Sequence, residues 1–147
     1  MPSANLRNFG VVTITGATET LTADAHSGIL IAVNRAAGCT LTLPDATGSG
    51  NLYRITTLVD QTGDLVIQAP DADNVMQGVA YLGNDAAGAS CFYTADASDT
   101  ITLDGTTKGG KKGARVELQD VAANTWNVMV YSEASGIEAT PFSAAVS

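Results

Sequence analysis

Short runs rich in Val, Ile, Leu, Thr and Tyr alternate along the chain with clusters of Gly, Asn, Asp and Ser, and apolar residues do not recur at helical spacing. Such a pattern predicts many short strands joined by turns. Strands are expected at 11–15, 29–34, 40–43, 52–59, 65–68, 75–81, 90–94, 100–103, 115–118 and 126–131. Alternation is clearest at Thr40-Leu41-Thr42-Leu43 and Thr100-Ile101-Thr102-Leu103, where the aliphatic side chains face one side and the hydroxyls the other. Pro44 closes the first of these, because proline cannot donate to a continuing ladder. Residues 115–118 and 125–131 read as a hairpin carrying the only tryptophan, and Trp126, Val128 and Val130 share the face expected at the centre of the core. The fold class expected is all-β: a single-domain antiparallel β-sandwich or jelly-roll-like barrel of about ten short strands.

The remaining segments differ in kind. Residues 47–51 and 105–113 read as loops, and the second holds Lys108, Lys111 and Lys112 with Arg115 just beyond, four of the chain's 7 basic residues. It is expected to be a mobile, solvated hairpin loop, or else a basic patch aimed at an acidic protein surface. Residues 1–10 and 135–147 are polar and Ala-rich with isolated large residues, Leu6 and Phe9 in one and Pro141 and Phe142 in the other. They read as N- and C-terminal arms that order on contact, flanking a β domain at 11–134. Thr22-Ala23-Asp24-Ala25 returns as Thr94-Ala95-Asp96-Ala97, but no longer period surrounds it, so no solenoid is predicted.

A length of 147 residues suits one domain. Aromatics make up only 5%, so the core is expected to be thin and part of the apolar surface to be buried between subunits. The formal charge of -8 argues against nucleic-acid binding, which relies on basic residues at the phosphates. Residues 1–10 lack the apolar stretch of a signal peptide, and no run approaches the roughly 20 apolar residues of a membrane span, so no membrane partner is expected. Cys39 and Cys91, the only cysteines, are expected as reduced, buried thiols.

Catalytic chemistry finds little purchase. His26 is the sole histidine, which excludes any site needing two, and with Gly28 close behind it reads as part of a surface turn. Pro70-Asp71-Ala72-Asp73-Asn74 opens like a calcium loop but lacks the Gly and closing Glu at the required spacing, so turn chemistry explains it. Residues 105–113 do not fit a phosphate-binding loop, which needs Gly-Lys-Ser/Thr running into a helix. No catalytic residue, metal or cofactor is expected.

Asp99-Thr-Ile-Thr-Leu-Asp-Gly-Thr-Thr107, Gly109-Gly110, Gly113, Val116-Glu-Leu-Gln-Asp-Val-Ala122, Trp126 and Gly136-Ile-Glu-Ala-Thr-Pro-Phe142 together resemble a recurring type of tailed-phage virion protein. Leu21-Thr-Ala-Asp24, Thr40-Leu-Thr-Leu-Pro44, Gly48-Ser-Gly50 and Tyr53-Arg54 extend the resemblance over most of the chain. It implies a non-enzymatic head decoration (cement) protein, made in the host cytoplasm and usually trimeric, which sits outside the capsid and clamps major capsid protein subunits. Candidate capsid contacts are Leu6, Phe9, Lys108, Lys111, Lys112, Pro141 and Phe142. A tail or fibre-associated virion protein, or a carbohydrate-binding β module, shares most of these features. The mark of the last would be solvent-facing aromatics in a groove, for which Tyr53, Tyr81, Tyr93, Tyr131 and Trp126 are the candidates.

Overall fold

The computed structural model of the protein describes residues 10–147. In chain order the elements are β1 (Val11–Ile14), β2 (Thr18–Thr20), α1 (Ala23–His26), β3 (Leu30–Val33), β4 (Cys39–Thr42), β5 (Leu52–Thr57), β6 (Leu65–Gln68), β7 (Val75–Gly83), β8 (Ala89–Tyr93), β9 (Thr100–Leu103), β10 (Arg115–Ala122), β11 (Thr125–Glu133) and β12 (Phe142–Ser143). Seven strands form one sheet in the order β1-β3-β5-β10-β11-β7-β8, and five form a second in the order β12-β9-β6-β4-β2. All the strands predicted from alternation are present. The additional β2 is exposed at every residue and so carries no burial signal, while β12 is only two residues long.

The two sheets enclose one continuous core, as an all-β sandwich requires. Ile31, Tyr53, Ile55, Leu118, Trp126 and Val130 come from the larger sheet, and Leu41, Leu65, Ile67, Ile101 and Leu103 from the smaller. The expected face of Trp126, Val128 and Val130 is indeed interior, and the Trp126 ring meets Tyr53 edge-on with centroids 5.6 Å apart. Aromatics are scarce, but these two are spent at the centre and aliphatic side chains fill the rest. Scarcity has not left the core thin.

Pairing is mixed, not antiparallel throughout. The antiparallel expectation holds for β5-β10-β11, β7-β8 and β6-β9-β12, whereas β1-β3-β5, β2-β4-β6 and β7-β11 run parallel. The cause is the path of the chain: from β1 to β6 it steps alternately between the sheets, so each strand lies beside the one two places earlier. This half winds as a short solenoid. No period is legible because the steps from Val11 to Leu30 to Arg54, and from Thr18 to Thr40 to Val66, all differ in length.

Three segments expected to be loose are anchored. Residues 47–51 wrap a single buried carboxylate, Asp120, which accepts hydrogen bonds from the amides of Thr47, Gly48 and Ser49 and from the Ser49 hydroxyl at 2.6 Å. Residues 105–113 are not a solvated hairpin loop: Gly105, Gly109 and Gly110 are buried, and Asp104 accepts from the Thr106 and Lys108 amides. Gly105 has φ +82°, and a Cβ there would run into the Gln61 carbonyl oxygen, so only glycine fits. The segment 135–147 is not a free arm either. Pro141 and Phe142 are buried, β12 pairs with β9, and the buried Asp99 carboxylate accepts from the Ala145 and Val146 amides. A polar tail gains order here because the edge of β9 and Asp99 lie ready for it, which its own composition does not reveal. Leu6, Phe9 and most of the expected arm at 1–10 lie outside the described residues.

Two single residues also depart from expectation. His26 is buried rather than part of a surface turn: its Nδ1 accepts the Thr22 amide at 3.0 Å, while Nε2 lies 3.8 Å from Glu19 Oε1. Cys39 is buried and Cys91 exposed, both as free thiols, because β8 is an edge strand that turns Cys91 to its outer side.

Candidate binding surface

Strand alternation sorts the larger sheet into an inner set that builds the core and an outer set that faces away from it. The register aligns the outer set in rows across the strands. One row runs Val11, Leu30, Arg54, Glu117, Met129, Val79, Tyr93, and the next runs Thr56, Arg115, Tyr131, Tyr81, Cys91. Their ends on β11, β7 and β8 therefore bring Met129, Val79, Tyr93, Tyr131, Tyr81 and Cys91 into one patch. Tyr93 is 73% exposed, and Met129, Tyr81 and Tyr131 are each about two-fifths exposed. A contiguous apolar patch of this kind marks an interaction surface more often than scattered exposed residues do.

The patch has internal order. Tyr81 and Tyr131 stack with centroids 5.5 Å apart and planes 12° from parallel. The Tyr81 phenol is pushed above its ordinary range, first by its electrostatic interaction with neighbouring Cys91, then by partial desolvation and by Tyr131 and Tyr93. Beside it the third row, Leu52, Gln119, Asn127 and Gln77, borders a shallow depression of about 190 Å³ lined by Leu52, Glu117, Gln119, Asn127, Val128 and Met129. Gln77 Nε2 donates to Asn127 Oδ1 at 2.7 Å and fixes that border.

Charge frames the patch on one side. Arg115 stands directly opposite Tyr131 in the register, and Lys111 and Lys112 lie in the loop that leads into β10. Among the described residues none of Lys108, Lys111 and Lys112 is within ion-pairing distance of a carboxylate, so their charges are available to a partner. The outer face of the smaller sheet is different. Its rows are Thr18, Thr40, Val66, Thr102 and Thr20, Thr42, Gln68, Thr100, Ser143, small and mostly hydroxylated.

The structure separates the residues singled out from the sequence. The lysines lie at the entry to β10 in the larger sheet, while Pro141 and Phe142 are buried at the edge of the smaller one and are not available as apolar anchors. Of the aromatic candidates for a sugar platform, Tyr53 and Trp126 are buried, Tyr81 and Tyr131 each spend one ring face on the other, and Tyr93 stands most exposed. Met129 and Val79 escaped notice. A signal was present, since in 125–133 apolar residues occupy both parities of the strand, and the second set needs a reason once Trp126, Val128 and Val130 have taken the core. Among the described residues no three His, Cys, Asp or Glu side chains converge as metal ligands.

No protein-family model matches the chain, and no curated protein and no solved structure matches it either.

Proposed function

We propose that the protein is a non-enzymatic virion protein that decorates the head of a tailed phage, laying the outer face of its larger sheet on the coat. The sequence resemblance supports the head as its station. The observation that carries the mode of attachment is the patch of Met129, Val79, Tyr93, Tyr131 and Tyr81, bordered by Arg115 and the lysines before it. An apolar centre with a charged rim is the anatomy of a protein interface. Arg115 opposite Tyr131 and Glu117 opposite Met129 give the rim charges of both signs, which set orientation and on-rate, so this contribution weakens as salt rises. A glycan platform would need several ring faces turned to solvent, and the stacked pair has already given one face of each ring to the other.

Met129→Asp and Tyr131→Asp test this, because both side chains are surface residues whose replacement leaves the core intact. Each should lower affinity for heads lacking the protein by roughly 10- to 100-fold, the equivalent of about 1.5 to 3 kcal/mol for one buried apolar side chain. Thermal stability should stay near that of the parent chain. Unchanged occupancy with both replacements in one chain would remove this face from the account.

A further inference from the structure

The larger sheet ends at β8, and the hydrogen-bond phase of that edge is fixed by its flanks. Thr94 N donates to Gly78 O at 3.1 Å and Asn84 N to Gly88 O at 3.0 Å, so bonded pairs bracket the ladder. Bonded and outward-pointing residues alternate in an antiparallel ladder. Ser90 and Phe92 therefore turn their amides and carbonyls to β7, and Ala89, Cys91 and Tyr93 turn theirs away from the sheet, toward whatever lies beyond the edge. Edge strands are ordinarily protected by charge, proline or a bulge. Here Ala86 to Ala95 holds no charged residue and no proline in a chain of net charge -8, and the register of β8 is unbroken.

We infer that β8 pairs with β8 of a second copy, antiparallel, about a two-fold axis at Cys91, in place of the trimer that the resemblance implies. That register lets every outward amide and carbonyl of both strands find a partner, since Cys91 pairs with its own counterpart and Ala89 with Tyr93 on either side. Side chains fit as well as backbone: the large Tyr93 falls opposite the small Ala89 on the outer face, and Phe92, half-buried, falls opposite Ser90 on the inner one. A foreign strand would have to supply this alternation, whereas a second copy carries it already, as an isologous contact requires. The absence of charge matters equally, because two acidic bodies meet here with no formal charge in either strand. One continuous sheet then joins the outer patches of the two copies across the seam.

Native mass spectrometry of the full chain at micromolar concentration, without any coat protein, tests this apart from attachment to heads. A dimer is expected. Cys91→Lys and Cys91→Glu each place like charges opposite one another at the axis, on an exposed side chain, and each alone should lose the dimer while keeping the parent circular dichroism spectrum. An equimolar mixture of the two should regain it as the mixed species. A monomeric or trimeric parent chain, a dimer that persists in Cys91→Lys alone, or a mixture that forms no mixed dimer would overturn the pairing.

Discussion

Asp120 shows how one residue organises a stretch of chain that its own composition leaves open. Burial pushes its carboxyl upward, but the Ser49 hydroxyl and the amides of Thr47, Gly48 and Ser49 outweigh that and hold it below the usual carboxylate range. Asp104 shares this state: burial again acts upward, and the Lys108 and Thr106 amides and the Thr107 hydroxyl prevail. For a carboxylate lowered on folding, the stabilisation is complete above its unfolded value, about 3.9, and is lost as pH falls through the folded value. The midpoint of urea unfolding should therefore be flat near neutrality and drop in acid, below about pH 4. Asp120→Ala strands three amides and should cost about 2 to 4 kcal/mol at neutral pH, with a shallower acid slope. A midpoint unmoved by the substitution would show that residues 47–51 are held by something else.

At the scale of elements, β12 is the clearest test of how the chain closes. Phe142 is 7% exposed and packs in the core, its strand is bonded to β9, and Asp99 captures the two amides that follow. Phe142→Ala should cost about 3 kcal/mol, read as a lowered unfolding midpoint, and loss of 140–147 should do at least as much. A stable truncated chain would restore the reading of this segment as an arm. The strands themselves were legible because burial on one face writes a period of two into residues such as Leu41, Leu43, Ile101 and Leu103. Phe142 was not legible as core, because one apolar residue after Pro141 has no period, and what buries it is a strand about 40 residues away. Burial in 105–113 was hidden for a like reason: Gly105 packs on the Gln61 carbonyl, Gly110 N donates to the Ser132 hydroxyl and Gly113 N to the Thr57 carbonyl, all distant in sequence. Parallel pairing escaped for a related reason: alternation reports which face a residue takes, not which strand lies beside it.

On the scale of the whole molecule the two outer faces differ, one apolar at its end and bordered by Arg115 and Glu117, the other lined mostly by hydroxyls. Folding of the isolated chain does not require that difference, since Met129, Tyr81, Tyr93 and Tyr131 contribute little to a core they do not enter. Pairing at β8 would place two such patches side by side, so two modest contacts would add through effective concentration. The central claim is that this face lies on the coat, and hydroxyl-radical footprinting read by mass spectrometry addresses it side chain by side chain. Tyr93, Met129 and Tyr131 should label readily in the free protein and become protected on heads, while Tyr53 and Trp126 stay unlabelled in both. Equal labelling of Met129 and Tyr131 on and off the head would contradict the account.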